Sequence, residues 1–381
     1  MEPLLILSPD APPARGGLAD HTDRLATVLQ DRFAVTVLTS PGAEARRPYT
    51  VRGEIGDWQS AARVSEAVER WRPVGPILWQ YVPHMYGRGG VNLGLPRVMK
   101  TLRRRGRRQV VLAHEVAAGW SPWPHRIVYA LAHRWMWRGV LGQADAVGLS
   151  TERWLERWRR VQPCRAALFF APSPSNIPIA PVAVAGRSIG RDRLGLGAAR
   201  RVVGFFGSPG PDKRMDWVVH AWRLARRRDP ATALVSMGGL PAFRPSADEA
   251  AWYRATGHLP GPQASETLQA LDVLALPFLD GVSERRSSFM AGLAHGLAVV
   301  ATVGPATGSS LRDSAAFEAV AERDGMEAFG AAAAALLEDD TRRTGLGQRA
   351  QDYYRSHYDW PCLADRLLPW LRGSGASRSC G

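Results

Sequence analysis

Short, continuous apolar runs recur along this 381-residue chain, and each is followed by a longer stretch of helical period. Leu4–Ser8 opens the series. It leads through a Pro/Gly loop from Asp10 to Gly17 into a helical stretch over Leu18–Phe33. Val35–Thr39, Ile77–Tyr81, Val110–His114 and Ala146–Ser150 repeat the pattern. A run without polar alternation fits a strand covered on both faces, as in a parallel sheet. Parallel neighbours need crossover connections, usually helices, so the alternation predicts a doubly wound α/β domain.

The series then breaks. Ala171–Ala185 reads APSPSNIPIAPVAVA, too rich in proline to continue a helix or a central strand. It restarts with Val202–Phe206, a helix over Met215–Arg228, then Ala233–Met237 and Val273–Pro277. A helix near Arg286–His295, a strand at Ala298–Thr302 and a helix over Met326–Leu337 complete it. Two Rossmann-like domains are expected, 1–175 and 176–359, each large enough for its own core. A last helix near 360–372 can pack back on the first domain, and the Ser/Gly-rich segment 373–381 reads as a disordered tail. Ligands favour the carboxyl ends of such sheets, so a cleft between the two is the expected site.

Composition narrows the function classes. With 45% hydrophobic and 22% charged residues, the chain is ordinary globular material. Its longest apolar stretch, Leu293–Gly304, is interrupted by His295 and falls short of the ~20 residues a membrane span needs. Met1–Leu7 lacks a basic n-region, so no signal peptide is expected. Cys164, Cys362 and Cys380 have no metal-ligand or CxxC spacing, which fits a reduced, cytoplasmic chain without structural zinc. Charge is lopsided. Residues 1–175 hold 25 basic and 14 acidic side chains, net +11, against 24 and 21, net +3, in the remainder. Nine of the 14 tryptophans lie in that first part. An anionic partner of the N-terminal half is the functional reading: phosphate, nucleic acid or an acidic membrane face. A plain arginine bias is the alternative, since 47 of the 49 basic residues are Arg. No nucleic-acid recognition motif supports the second of those partners.

Three loops carry candidate chemistry. Gly16–Gly17 lies between the first strand and its helix, where backbone N–H groups can approach a phosphate or sugar. It is not a dinucleotide fingerprint, and neither a Walker A nor a G-x-S-x-G pattern is present. In VVGFFGSPGPDKR a strand runs through Gly207–Ser208 and delivers Lys213 and Arg214 to a helix start. Adjacent cations there suit a diphosphate. In LPFLDGVSERRSSF the chain passes Gly281 and Ser283 to Arg285, Arg286 and Ser287, a combination suited to anion and hydroxyl binding. His114 ends an apolar strand, and Tyr81, His84, Tyr86 and Arg88 form a polar–aromatic loop after another strand of the same sheet. Together they read as an acceptor wall. Bland readings accompany each: a flexible turn, solvated helix-start charges, a satisfied core histidine.

The chain resembles glycosyltransferase family 4, the retaining, nucleotide-sugar-dependent enzymes of the GT-B fold. The likeness runs nearly end to end, through GGLADHTDRLA, QYVPHMYGRGG, LAHE, SNIP, GSPGPDKR, TGHLPGPQASETLQALDVLALPF and DGVSERRSSFMAGLAHGLAVVAT. It implies two Rossmann-like domains facing a central cleft, a nucleotide-sugar donor, and a glycan, lipid-linked or small-molecule acceptor. It also implies front-face, retaining substitution. Gly16 and Gly17 would face the donor diphosphate and Lys213 would neutralise it. His114 would sit beside the transferred sugar or acceptor, and the Gly281–Ser287 loop would hold phosphate and sugar hydroxyls. No cofactor or metal is implied, since cations and helix N-termini stabilise the leaving group.

Two positions depart from the family's pattern. Ser208 follows Gly207 where an Arg is usual; Arg214 or Arg285 is the available substitute. The usual pair of Glu eight positions apart falls on Ser283 and Ala291, with Glu284 adjacent to the first. A non-catalytic GT-B binding or accessory protein is therefore the second reading.

Overall fold

The computed structural model describes residues 1–14, 16–42, 47–71, 75–87, 90–119, 123–161, 165–180, 186–208, 210–238 and 243–375. The chain forms two compact units, one of Met1–Ser173 with Trp360–Gly381 and one of Pro174–Asp359.

Among the described residues the first unit is built on a seven-stranded sheet in the order β3-β2-β1-β4-β5-β6-β7. Its strands are β1 (Glu2–Leu7), β2 (Phe33–Leu38), β3 (Thr50–Arg52), β4 (Ile77–Tyr81), β5 (Gln109–Ala113), β6 (Ala146–Leu149) and β7 (Ala167–Phe170). All pairings are parallel. Successive side chains of a strand point to opposite faces, so each apolar run feeds two cores at once. Ile77, Trp79, Tyr81, Val111 and Val147 enter one, under the helices Ala61–Arg70, Leu95–Arg104 and Pro124–Gln143. Leu78, Val110, Leu112 and Ala146 enter the other, under the helices Gly17–Leu29 and Trp360–Arg372. That last helix buries Trp360, Leu363, Ala364, Leu367 and Leu371, a stripe at helical spacing, against the first unit.

Among the described residues the second unit holds a six-stranded sheet, β10-β9-β8-β11-β12-β13, again parallel throughout. Its strands are β8 (Arg201–Phe206), β9 (Thr232–Met237), β10 (Tyr253–Gly257), β11 (Val273–Leu276), β12 (Ala298–Val303) and β13 (Glu318–Ala321). Both sheets are doubly wound. The direction of winding reverses between β1 and β4 in the first and between β8 and β11 in the second. Such switch points leave a crevice at the carboxyl ends of the two strands.

The nine strands read from the sequence are all present, with ends shifted by two residues at most. Four more were not expected: β3, β7, β10 and β13. They are the edges of the two sheets. An edge strand has one neighbour and partial burial, as in the exposed–buried–intermediate pattern of Thr50–Arg52, so it needs no apolar run, although β7 (ALFF) is one that the sequence reading passed over. His114 falls just past β5 instead of ending it. The proline-rich stretch has no helix or strand over 171–180; residues 181–185 lie outside the described residues. In the tail, Gly375 N–H donates to the Pro369 carbonyl at 2.8 Å, and residues 376–381 lie outside the described residues.

Candidate functional site

In the second unit, two loops are knitted together at the switch point. The chain leaves β8 at Gly207 (φ 137°). A Cβ placed on Gly238, after β9, would stand 2.8 Å from the Gly207 carbonyl carbon, so the two backbones meet here because that side chain is absent. Further on, Arg214 N–H donates to the Pro277 carbonyl (3.0 Å) and Leu279 N–H to the Asp212 carbonyl (3.0 Å). Lys213 and Phe278 form an isolated antiparallel bridge between them.

Charges at this junction are mostly matched. Arg286 donates from one guanidinium nitrogen to Asp212 (2.5 Å) and from another to Asp280 (2.6 Å), and lies over the Phe278 ring at 4.4 Å. Burial opposes ionisation of Asp212, but its hydrogen bond to Arg286 and the charges of Lys213 and Arg286 prevail, holding its pKa below the usual carboxylate value. Arg214 grips Asp216 at 2.6 Å and lies over Trp217. Lys213 is different. Its Nζ donates to the neutral Ser208 carbonyl at 2.7 Å, and among the described residues no carboxylate lies within ion-pairing distance. Its stem packs against Gly207. The junction therefore presents an ammonium that has no carboxylate ion pair among the described residues, with only the more distant Asp212 charge acting on it.

The third loop serves mainly as support. Gly281 (φ 84°) is buried, and a Cβ there would stand 2.3 Å from Gly304 N and 2.6 Å from Thr307 Oγ1. Gly304 N–H donates to Thr307 Oγ1, and Ala306 N–H to the Asp280 carbonyl, so the segment after β12 braces the loop. Ser283, read from the sequence as a hydroxyl-binding residue, is buried. Glu284 and Ala291 are fully buried too. Arg285 and Ser287 are exposed, the latter opening the helix Ser287–Ala294. Arg286 was expected as a phosphate ligand; its guanidinium is committed to two aspartates instead.

In the first unit, Gly16 and Gly17 sit at the start of the helix Gly17–Leu29, exposed, with open space where a Cβ would be. One turn on, buried His21 packs edge-on to His114 with ring centroids 4.4 Å apart, and against Trp360 at 5.0 Å. His114 Nε2 lies 2.5 Å from Gln80 Oε1. With the Gln80 amide oxygen facing the ring, Nε2 is the donor and Nδ1 is left as the acceptor. Burial lowers the His114 pKa to about 4, so the ring is neutral at pH 7. His21 is lowered as well, by burial first and the His114 charge second. Ser8 and Thr22 hydroxyls meet at 3.1 Å beside them.

The expected acceptor wall is only half present. Tyr81 and Tyr86 are 1% exposed, packed with Trp137, Trp58 and Trp79 in the core, and Tyr86 donates to the Gln80 carbonyl at 2.7 Å. Aromatic side chains flanking a buried strand found packing partners. His84 is half-exposed, its Nδ1 3.3 Å from the Glu115 carboxylate. Arg88 lies outside the described residues. Sequence reasoning missed Gln80 and Glu115 beside the histidines, and Asp212 and Asp280 as anchors of Arg286. Each is a single polar residue in a loop or strand, marked as paired only by its partner in space. Among the described residues no group of three His, Cys, Asp or Glu side chains could hold a metal ion, and no helix is long and apolar enough to cross a membrane.

Residues 200–339 match the family model described as glycosyl transferases group 1. No curated protein matches the sequence. Among solved structures, HepE of Anabaena, in complex with UDP and glucose, superposes with a TM-score of 0.70 at 14% identity, covering 98% of this chain and 100% of that one. Sucrose-phosphate synthase of Thermosynechococcus elongatus gives 0.67 at 16%, covering 99% and 100%. The UDP-forming trehalose-phosphate synthase of Burkholderia xenovorans, with glucose-6-phosphate, gives 0.67 at 12%, covering 98% and 100%. The fold is the two-domain α/β architecture of GT-B glycosyltransferases.

Proposed function

We propose that the chain is a retaining glycosyltransferase that moves a sugar from a nucleotide-sugar donor to a glycan, lipid-linked or small-molecule acceptor. The observation that carries this reading is Lys213, held without a carboxylate ion pair among the described residues at the β8–β11 switch point, inside the region that matches the glycosyl transferases group 1 model. A nucleoside diphosphate sugar brings two phosphates, and Lys213 with the N-terminal end of Ser287–Ala294, where Ser287 is exposed, would stabilise the charge released as the sugar departs. Charge supplied this way needs no metal. Arg285 is the exposed cation on the same loop and joins Lys213 as a donor ligand.

The first unit would hold the acceptor. His114, neutral with Nδ1 free to accept a hydrogen bond, and the His84–Glu115 pair suit sugar or phosphate hydroxyls. Gly16 and Gly17 offer backbone N–H groups at a helix start. HepE, solved with UDP and glucose, and the trehalose-phosphate synthase, solved with glucose-6-phosphate, make a sugar or sugar phosphate a reasonable acceptor class to test first.

Ser283 and Ala291 favour a second reading, a binding protein that retains the donor site without turnover. Incubation with a panel of nucleotide sugars and sugar acceptors separates the two. An enzyme releases nucleoside diphosphate and yields a product of retained anomeric configuration. A binding protein shows affinity and no release.

A further inference from the structure

The helix Pro124–Gln143 is covered on one side only. Ala130, His133, Met136, Trp137, Val140 and Leu141 face the core, and His133 is anchored to the Gly90 carbonyl at 2.7 Å. The opposite side carries Ile127, Val128, Leu131 and Trp135, with Trp123 at its N-cap. All five are between 37% and 67% exposed. They recur at the i, i+4 spacing that draws a stripe along one helix face. Single exposed apolar residues are normal, but five aligned on one helix are a surface that water leaves unpartnered.

The helix itself carries charge of one sign, although Glu115 lies within electrostatic reach of its Tyr129 and His133, and Glu156 is on the neighbouring helix. Residues 123–143 contain no Asp or Glu, while Arg126 and Arg138 are exposed on the helix itself. Arg157, exposed on the neighbouring helix Glu152–Val161, stands within electrostatic reach of Arg134. Not every tryptophan of this region takes part. Trp137 is fully buried, and Trp154 and Trp158 pack partly against the core, so of those four only Trp135 keeps an open face.

We propose that this helix docks the protein on an anionic lipid bilayer, lying in the interface with Trp123, Ile127, Val128, Leu131 and Trp135 among the headgroups and its arginines toward acidic lipid. An apolar stripe, tryptophans at its margins and flanking cations are what an interfacial helix requires. A second copy of this chain fits the surface less well. A twofold contact would set the same face, bearing arginine and no carboxylate, against itself. Docking needs neither donor nor acceptor, so its failure and failure of the transfer reading are separate results.

Co-sedimentation of the full-length protein with phosphatidylglycerol–phosphatidylcholine vesicles, and with phosphatidylcholine alone, tests this. Pelleting should rise with phosphatidylglycerol and fall with added salt, and tryptophan emission should move to shorter wavelength on binding. Leu131→Asp and Arg138→Glu should each weaken binding about tenfold while the far-ultraviolet dichroism stays unchanged. Because Arg138 is exposed, its variant guards against misfolding of the first. The proposal is overturned if the wild type pellets equally with neutral vesicles or with none. It is also overturned if both folded variants bind as the wild type does, or if the stripe instead supports a concentration-dependent dimer that Leu131→Asp abolishes.

Discussion

Arg286 holds Asp212 and Asp280 at 2.5 and 2.6 Å, and so joins the loop after β8 to the loop after β11 through one guanidinium. The clamp fixes the loop that ends in Lys213 while using up its own charge. Arg286→Ala should therefore act on geometry. We expect a loss of about 1–3 kcal/mol in stability, discounted because both aspartates are partly exposed. Donor affinity should fall with it. Arg286→Lys should restore little, since one ammonium cannot span two carboxylates as a fork does. Urea unfolding and nucleotide titration of both variants provide the check.

Gly281→Ala tests how tightly that loop is packed. The new Cβ would meet Gly304 N at 2.3 Å, at a φ of 84° that side chains other than glycine's resist. Backbone must move, and a cost of about 1–3 kcal/mol is expected. Gly257→Ala is the control: its φ is 64°, but no atom lies within 4 Å of the added Cβ. It should cost less in thermal unfolding.

His114 sets a pH dependence in the first unit. Its folded pKa is about 4, against an ordinary 6.5, because burial disfavours the charged ring. Above 6.5 the ring is neutral folded and unfolded, and the stability is intact. As pH falls from 6.5 toward 4 the unfolded chain takes up the proton first, and up to about 3 kcal/mol is lost. His21 adds in the same direction. His114→Gln should flatten the urea midpoint between pH 7 and 4.5 relative to wild type. Parallel profiles would contradict the burial argument.

Turnover should persist after exhaustive treatment with EDTA, because on the proposed reading Lys213 and the helix start at Ser287 would supply the charge stabilisation. Loss of activity restored by Mg²⁺ or Mn²⁺ would assign that role to a metal.

What the sequence disclosed followed from burial. Central strands such as Ile77–Tyr81 are enclosed on both faces, and enclosure forces a continuous apolar run that can be read directly. Thr50–Arg52 and Glu318–Ala321, at the sheet edges, are under no such demand and left no trace. The candidate loops were legible because they sit at strand ends marked by Gly and Pro. The state of their side chains was not. Arg214, Arg286 and Lys213 look alike in a sequence; only the positions of Asp216, Asp212 and Asp280 show that two are matched and one is not. Tyr81 and Tyr86 misled for the same reason, since a tyrosine beside a buried strand serves a core or a surface equally well.

Lys213 is thus the residue on which the account turns. Calorimetric titration of the wild type and of Lys213→Ala with a set of nucleoside diphosphates is the most direct test. At least one nucleotide should bind the wild type, and the variant, folded as before, should bind it about 10- to 100-fold more weakly, the worth of a charge-assisted phosphate contact. Binding of none of the nucleotides, or equal binding to both proteins, would contradict a donor site at the β8–β11 junction.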